Sequence, residues 1–384
     1  MKIAIIGPYP IEKDTNNING GVQAVVVNTI KGLSRFEDLN IHVITASPRL
    51  SKDTKYVSKN VTVHGVSLDR RLGNLTLYSN TRNRIIRKVR EISPDIIHSH
   101  MLGYYTLAAL DSGHEKILVS THGVSNKGWG INYGAIETIR RAMQARIYEK
   151  CLKRTENFIV NSAYTKNHLS EFGKDNLYEL DNPVSDIFFE PNGNKKENKR
   201  ILFAGHICEE KGIMTLLCSL DLLRKSFEDI KLVIAGDSRD RRFYAKVLGF
   251  VNEKKMQRHI SFLGHLNDYE LKNEYDKASV FAFPSEQDVA PLAVLQAMAS
   301  SKAIVAARVG GIPYIIDEGV NGLLTPKKDS RAFADSIAAL IKDPGLSAKL
   351  SSGARNKACR INRISTVTDT LYKIYAELDS RGTL

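Results

Sequence analysis

The chain has 384 residues, of which 42% are hydrophobic and 25% charged, and it carries a formal net charge of +13. This length is typical of two domains, and the composition excludes a disordered or fibrous chain. No apolar run approaches the roughly 20 residues that cross a bilayer, and Met1 and Lys2 lead directly into an apolar segment, so we expect neither a transmembrane helix nor a signal peptide. The four cysteines lack metal-ligand spacing and are typical of reduced thiols in a cytosolic protein.

Two successive series of short apolar runs alternate with helical patterns. The runs are rich in Ile and Val, as in strands that are buried on both faces of a parallel sheet. The first series predicts strands at 2–7, 41–46, 95–100, 116–123 and 157–162, with helices at 22–33, 82–91 and 136–154. The second predicts strands at 200–205, 231–236, 260–264, 278–283 and 302–307, with helices at 213–225, 242–255, 268–277 and 291–299. This alternation indicates two parallel sheets covered by helices.

The polar, turn-rich stretch 191–200 lies between the two series and predicts a linker. A final helical pattern at 365–378 has no strand after it, so it either closes the second domain or returns to the first. We therefore expect an N-terminal α/β domain over residues 1–185, with segment 365–384 as a candidate addition. A second α/β domain is expected over residues 186–364.

The segment from Phe283 to Pro313 carries the strongest functional signal. A polar loop at 286–288 joins a predicted strand to a helical pattern that begins near Leu292. The first turn of a helix offers unpaired backbone N–H groups and the positive end of the helix dipole, both of which favour anions. Asp288 adds an acidic group beside that position. This layout favours a negatively charged ligand with a hydroxyl-rich group next to it.

Short motifs along nearly the whole chain, in their order and spacing, resemble those of glycosyltransferase family 4 (group 1). In chain order they are Gly20-Gly21, His122, Asn182-Pro183-Val184, Gly205, Lys211-Gly212, Ala235-Gly236-Asp237, Phe262-Leu263-Gly264, Pro284-Ser285, Gln296-Ala297-Met298-Ala299 and Gly310-Gly311-Ile312-Pro313. Members of this family are retaining, nucleotide-sugar-dependent enzymes with the GT-B fold. The resemblance implies two Rossmann-like domains whose parallel sheets face a central cleft, with the acceptor bound by the N-terminal domain and the donor by the C-terminal one.

The resemblance implies catalytic roles in the second domain. The family has a Glu-x7-Glu pattern where this chain has Asp288 and Gln296, so both positions depart from the common form. Asp288 would bind hydroxyls of the donor sugar, and Gln296 would meet the ribose with weaker, uncharged hydrogen bonds. Lys211 would contact the diphosphate and stabilise the leaving group. His206 stands where the family usually has an arginine.

Backbone groups and apolar contacts complete the donor site that the resemblance implies. The N–H groups of Ala290 and Leu292 would hold the diphosphate, and Pro291 between them is well placed in a first helical turn. Leu266 is a further donor-binding candidate.

In the first domain, the resemblance implies that His122, at the end of a predicted strand, reaches the donor sugar. His100 has a similar strand-end placement and is a lesser candidate. Gly20 and Gly21 would allow close backbone approach by a phosphate or by the acceptor, and the polar loop 11–19 would close over the acceptor.

These residues predict transfer of a hexosyl group from a nucleotide diphosphate sugar to a hydroxyl acceptor, with retention of anomeric configuration. The expected partners are the donor and a glycan or lipid-linked glycan acceptor, in synthesis of cell-envelope polysaccharide or lipopolysaccharide. No cofactor is expected, and because the chain has no Asp-x-Asp pair, no metal either. We expect a cytoplasmic protein that is peripheral at the inner face of the membrane.

Membrane association is predicted from the pattern at 136–154. Its basic residues outnumber its acidic ones, and Ile136, Ile139, Met143 and Ile147 recur at helical spacing. The same pattern fits a surface helix that packs on its own domain, so an anionic membrane surface remains one of two interpretations.

Other functions stay open from the sequence. Because Asp288 and Gln296 depart from the family form, a non-catalytic nucleotide-sugar-binding protein is one alternative. A GT-B-fold epimerase or phosphorylase is another. Nucleic-acid binding rests on net charge alone, since no recognition motif is present, and nucleic acid is not an expected partner. The turn after the first strand lacks Gly-x-Gly-x-x-Gly, which disfavours a dinucleotide dehydrogenase.

Overall fold

A computed structural model of the chain describes residues 1–11, 18, 20–50, 52–69, 73, 76–123, 135–191, 197–238 and 240–381. The chain forms two compact units. Unit 1 comprises Met1–Pro183 together with Ile364–Leu384, and unit 2 comprises Val184–Arg363. Within the described part of the chain, no helix combines the length and the apolar composition that crossing a membrane requires.

The first 183 residues contain eight strands and five α-helices in the described part of the chain. In order they are β1 (Lys2–Ile6), α1 (Gly21–Leu33), β2 (Asn40–Ser47), β3 (Thr54–Ser58), β4 (Val61–Ser67), α2 (Ser79–Ile92), β5 (Ile96–His100), α3 (Tyr104–Asp111), β6 (Ile117–Ser120), α4 (Ala135–Arg154), β7 (Asn157–Val160), α5 (Ala163–Ser170) and β8 (Leu177–Glu179). The strands form one sheet in the order β3-β4-β2-β1-β5-β6-β7-β8. Neighbouring strands are parallel except the edge pair β3 and β4, which is antiparallel.

Unit 2 has a second sheet, in which every recorded pairing of neighbouring strands is parallel. Its elements are β9 (Arg200–Ala204), α6 (Ile213–Leu223), β10 (Lys231–Ala235), α7 (Arg241–Glu253), β11 (Ile260–Gly264), α8 (Asp268–Lys277), β12 (Val280–Phe283), α9 (Leu292–Ala299), β13 (Ala303–Ala307), α10 (Ile312–Ile315), β14 (Leu323–Thr325), α11 (Ser330–Lys342) and α12 (Pro344–Ile361). The strand order is β11-β10-β9-β12-β13-β14. The last helix, α13 (Ile364–Ser380), belongs to unit 1.

Helices pack on the sheet of unit 1 through two separate apolar clusters. Val26 of α1 and Tyr375 of α13 are buried in one cluster, and Val89 of α2 is buried in the other. The helices α1 and α13 approach closely because Gly32 has no side chain: a Cβ there would lie 2.6 Å from Thr368 atoms. Of the two arrangements that the sequence allowed for the last helix, the structure therefore has the one in which it returns to the first unit.

The predicted strands and helices are present, and the fold class α/β with two mostly parallel sheets is confirmed. The prediction missed the strands β3, β4, β8 and β14, the short helices α3, α5 and α10, and the longer helices α11 and α12. Of these strands, β3, β8 and β14 are short and lie at sheet edges, so they give little apolar pattern. As a result, unit 1 has a mixed sheet with an antiparallel edge, where the sequence predicted a purely parallel one.

The division between the units falls earlier than the predicted linker at 191–200. It lies between Pro183 and Val184, because the segment that follows already packs in unit 2. Phe188 is fully buried there and meets the Tyr275 ring edge-on, with 5.8 Å between ring centroids.

Candidate active site

The turn that follows β9 fixes the position of Lys211. Residues Glu209–Lys211 form one turn of 3-10 helix, and Gly212 then adopts a φ of 67° at the start of α6. A Cβ on Gly212 would lie 2.0 Å from the carbonyl oxygen of Pro284, so the turn can rest against the loop after β12 only with glycine at this position. The Lys-Gly pair thus places the lysine beside that loop.

Lys211 and Asp288, which the sequence separates by 77 positions, form an ion pair. Lys211 Nζ donates to Asp288 Oδ2 at 2.5 Å, and Ser285 Oγ donates to the same oxygen at 2.9 Å. Both charged side chains are largely buried, with 24% and 17% of their surfaces exposed. The other carboxylate oxygen, Oδ1, accepts no hydrogen bond from the residues that the structure describes. Asp288 therefore holds the ammonium group and still has an oxygen for a ligand.

The backbone around Asp288 is held by the double-glycine turn after β13. Gly311 N–H donates to Asp288 O at 2.8 Å. A Cβ on Gly310, whose φ is 51°, would lie 2.0 Å from the same oxygen. A second backbone bond, from Glu286 N–H to Glu210 O at 2.8 Å, ties the β12 loop to the Lys211 turn. The glycines thus have a packing role that sets the position of the Asp288 carboxylate.

Helix α9 begins directly after this loop. Val294 N–H donates to Pro291 O at 3.0 Å, so the amides of Leu292 and Ala293 precede the first hydrogen bond of the helix. Such amides and the helix dipole together attract an anion, and Lys211 supplies a positive charge at the neighbouring loop. Among the predicted donor-binding backbone groups, those of Pro291 and Leu292 therefore lie at a helix start as expected.

The other predicted donor residues also lie in unit 2. Gln296 is on α9 and is 7% exposed, so a ligand would reach only a small part of it as the structure stands. His206 follows β9 and is exposed, and Leu266 follows β11 and packs partly buried against the core of the unit. Ala290 is partly buried ahead of α9. Their ligand contacts remain predictions.

In unit 1, three histidines form a hydrogen-bonded stack near the carboxyl ends of β5 and β6. His98 bonds to Tyr375 Oη at 2.6 Å through Nδ1 and to Ser120 Oγ at 2.8 Å through Nε2. The rings of His98 and His100 stack with 4.4 Å between centroids, and His100 Nδ1 lies 2.9 Å from His122 Nε2. β6 ends at Ser120, so His122 follows the strand by two residues and does not lie within it as predicted.

Burial keeps these histidines neutral. It lowers the pKa of His98 to about 3 and that of His122 to about 4, and it holds the pKa of His100 well below its ordinary value. The neighbouring histidines add to the shifts of His98 and His100, because a second positive charge in the stack would repel the first.

The ring nitrogen of His100 that has no partner among the described residues indicates which nitrogen of each histidine carries the proton. His100 Nε2 is buried and has no hydrogen-bond partner among the described residues. A buried N–H without a partner costs more than a buried lone pair without one, so His100 carries its proton on Nδ1. It therefore donates to His122 Nε2, and neutral His122 has its own proton on Nδ1. The stack thus makes His122 a hydrogen-bond donor through Nδ1.

The predicted glycine loop is described only in part. Gly20 has a φ of 95° at the start of α1, a conformation that favours glycine, and Gly21 is the first helical residue. Most of loop 11–19, which was predicted to close over the acceptor, lies outside the described residues.

The basic helix α4 packs on its own unit at its C-terminal end. Ile147 and Cys151 are buried in a cluster with Leu107 of α3. Towards the N-terminal end, Ile139 is 55% exposed, and the side chain of Ile136 lies outside the described residues. The packing interpretation therefore holds for the second half of the helix, and contact with a membrane surface remains a prediction.

Comparison with known proteins supports the family that the motifs resemble. Residues 184–357 match the family model described as glycosyl transferases group 1, and residues 19–185 match the model of glycosyltransferase family 4. The chain belongs to the group 1 glycosyltransferases of family 4. It is thus a transferase enzyme.

Relatives of this family 4 glycosyltransferase match it over its full length. The phosphatidyl-myo-inositol mannosyltransferase of Mycobacterium leprae is 24% identical over 392 residues, which cover 100% of this chain and 98% of the relative. The solved sucrose-phosphate synthase of Thermosynechococcus elongatus has a TM-score of 0.80 at 17% identity and covers 99% of both chains. Anabaena Alr3699/HepE, solved with UDP-glucose, has a TM-score of 0.77 at 15% identity, with 98% of this chain and 100% of that one covered. These structures show the GT-B fold.

Two residues that contact the predicted site residues were assigned little or no role from the sequence. Ser285 was noted within a motif but was given no role, although it donates to the Asp288 carboxylate. His100 was only a lesser candidate, although it bonds directly to His122. The signal for His100 was the alternation in His98-Ser99-His100, which places both histidines on one face of the strand.

Proposed function

We propose that this glycosyltransferase moves a hexosyl group from a nucleotide diphosphate sugar to a hydroxyl acceptor with retention of anomeric configuration. The observation that carries the proposal is the Lys211–Asp288 pair beside the start of α9. A cation held by a carboxylate at the loop before a helix start suits a leaving diphosphate, because it stabilises negative charge without reorganising during the reaction.

The proposed donor contacts follow from this arrangement. Lys211 and the first amides of α9 hold the two phosphates, Asp288 Oδ1 accepts from a sugar hydroxyl, and Gln296 bonds to the ribose. The complex of Anabaena Alr3699/HepE with UDP-glucose supports a nucleotide sugar as the donor class. The assignment of His122 to the sugar rests on the family resemblance, and its Nδ1 proton would suit a hydroxyl oxygen.

In the proposed step, a bond forms between the acceptor oxygen and the anomeric carbon. The bond from that carbon to the β-phosphate oxygen breaks on the same face of the sugar, and the departing phosphate takes the proton of the acceptor hydroxyl. No side chain serves as a covalent nucleophile in this scheme. The expectation that no metal takes part stays a prediction.

The acceptor that we propose is a glycan or a lipid-linked glycan, in cell-envelope polysaccharide or lipopolysaccharide synthesis. The mannosyltransferase relative, which by its name acts on a phosphatidyl-inositol, supports a lipid-borne acceptor. A cytoplasmic location with peripheral membrane contact belongs to the same proposal.

The first experiment identifies the donor. A thermal-shift panel of UDP-, GDP- and dTDP-sugars should show one base that stabilises the protein, by about 2.7 kcal/mol at 100 times its dissociation constant. Transfer with that donor is then measured over an acceptor panel, and the anomeric configuration of the product is read by NMR.

Variants test the site. Replacing Lys211 by Gln should lower kcat by about 100-fold or more, while KM for the donor changes less, because the cation acts mainly as charge develops. Asp288→Asn should lower kcat by about 10-fold, because the asparagine side chain keeps the shape of the aspartate but not the negative charge that holds the Lys211 ammonium group. Lys246→Gln, an exposed lysine on α7 of the same unit, is the matched control.

The alternatives give different results in the same assays. Donor binding without turnover over the whole acceptor panel would indicate a non-catalytic binder. Conversion of the donor sugar without acceptor would indicate an epimerase, and dependence on inorganic phosphate a phosphorylase. Equal activity of Lys211→Gln and the Lys246→Gln control would refute the role of the ion pair.

A further inference from the structure

A cavity lies in unit 1, at the end of the sheet opposite the histidine stack. Its volume is about 550 Å³. Lys2 and Asn40, the first residues of β1 and β2, line it, and so do residues of the last turn of α2. The predicted site residues follow the carboxyl ends of strands, whereas this cavity reaches the amino ends. Nothing in the proposed transfer reaction uses it.

Two histidines line the cavity. His42 Nδ1 lies 3.0 Å from His64 Nε2, and their rings stack with 5.3 Å between centroids. His64 is only 6% exposed. Burial lowers the pKa of both rings, that of His64 to about 4, so both are neutral near pH 7. In either tautomer of this pair, one outer ring nitrogen carries an N–H and the other is an acceptor.

Three lysines line the cavity together with these rings, and so do the carboxylates of Asp53 and Glu91. Lys2 Nζ donates to the carbonyl oxygens of Ile92 and Ser93 at 2.9 and 3.3 Å, where it offsets the negative end of the α2 dipole. Lys88 is paired with Glu91 at 2.5 Å. The third lysine, Lys55, lies opposite His64 in the β3–β4 register, and its ammonium group makes no hydrogen bond or ion pair with the described residues.

The positive charges of the lysines oppose protonation of the two histidines. Lys2 and Lys55 lower the pKa of His42, and Lys88 and Lys55 lower that of His64. A bound anion would pair with Lys55 and accept the outer imidazole N–H, and its charge would offset the effect of the lysines on the rings. A metal ion would be repelled by the lysines, and within the described part of the chain no three His, Cys, Asp or Glu side chains are grouped to hold one.

We propose that this cavity is a binding site for a small oxyanion, a phosphate ester or a carboxylate, held by Lys55 and the His42–His64 pair. Polar side chains at Asn40 and Thr54 line the same space and would bond to hydroxyl groups of the ligand. The site is distinct from the donor site around Lys211, and it does not rest on the proposed transfer reaction.

The test uses the full chain and reads the two rings directly. Ring ¹H–¹⁵N NMR of His42 and His64 is followed during titration with inorganic phosphate, glucose 6-phosphate or citrate, at ionic strength matched with sodium chloride. We expect saturable shifts of both rings and a rise in the pKa of His64, because an anion favours its charged form. The same titration of Lys211→Gln tells binding at this cavity apart from phosphate binding near Lys211.

Variants complete the test. Lys55→Gln should weaken binding by about 10-fold, the loss expected for one charge-assisted hydrogen bond. Because Lys55 is on an exposed edge strand, this variant should fold normally. Lys59→Gln, the same charge change in the β3–β4 turn outside the cavity, should bind like the wild type. Saturation by the two phosphates and not by citrate would assign a phosphate ligand. Saturation by citrate alone would assign a carboxylate ligand. Ring signals that do not move, or move equally with sodium chloride, would overturn the proposal, as would equal weakening in the Lys59→Gln control.

Discussion

Lowering the pH from about 7.5 to about 5 should strongly destabilise unit 1. The pKa of His64 is lowered to about 4, that of His98 to about 3 and that of His122 to about 4. Each folded-state pKa lies below the ordinary value of 6.5, so between the two values the unfolded chain binds more protons than the folded one. The stabilising effect of the neutral rings is complete above pH 6.5 and is lost as the pH falls towards the folded pKa.

The size of the effect follows from linkage. Each histidine contributes a slope of about 1.4 kcal/mol per pH unit, so each removes about 2 kcal/mol of unfolding free energy by pH 5. Three of them remove about 6 kcal/mol, which is comparable to the whole stability of many domains. His100, whose pKa is also held well below its ordinary value by burial, acts in the same direction.

Urea unfolding at a series of pH values measures this slope, with ring NMR titration of each histidine alongside. His98→Gln should reduce the slope by about one histidine's share, about 1.4 kcal/mol per pH unit, whatever its effect on stability at neutral pH. His114→Gln is the matched control, since His114 lies outside the stack and bonds to Pro94 O. A flat unfolding free energy between pH 7 and 5, or an unchanged slope in His98→Gln, would refute the reasoning.

Three further variants probe the packing and the site. Gly310→Ala should lower stability by about 2 kcal/mol or more and weaken donor binding, because its Cβ would lie 2.0 Å from Asp288 O; a urea titration and a donor titration measure both. Tyr375→Phe should cost about 1–3 kcal/mol in urea unfolding, because it removes the hydroxyl that bonds to buried His98; an unchanged midpoint would contradict this. Gln296→Glu should tighten binding of the donor nucleotide by about 10-fold in calorimetry at neutral pH, because ribose hydroxyls would then donate to a charged group; equal or weaker binding would argue against ribose contact.

Much of the donor site could be predicted from residue types and spacing. Asp288 and the start of α9 were identified because a loop from a strand to a helix start is a general anion-binding arrangement, and Lys211 was identified from the family resemblance. Their mutual contact could not be predicted. It depends on the close approach of the Gly212 turn to Pro284, which spacing along the chain does not encode.

In unit 1, His122 was named from the sequence as a site candidate and His100 as a lesser one, and His98 was given no role. His98, His100 and His122 meet because β5 and β6 are adjacent and parallel in the sheet. A strand's neighbours are set by the whole topology, so one strand's sequence does not reveal them. The edge hairpin that lines the cavity in unit 1 was missed for a similar reason, because β3 alternates polar and apolar residues weakly and is stabilised by pairing with β4.

The sequence by itself determined the two α/β series, their order and the family, because buried parallel strands require continuous apolar runs and because the glycine motifs keep their spacing. Only the tertiary structure decided that the last helix lies in unit 1, that Lys211 is paired with Asp288, and that His100 sets the proton on His122. These features are contacts between distant parts of the chain. They depend on strand order, register and close backbone approach, which exist only once the chain has folded.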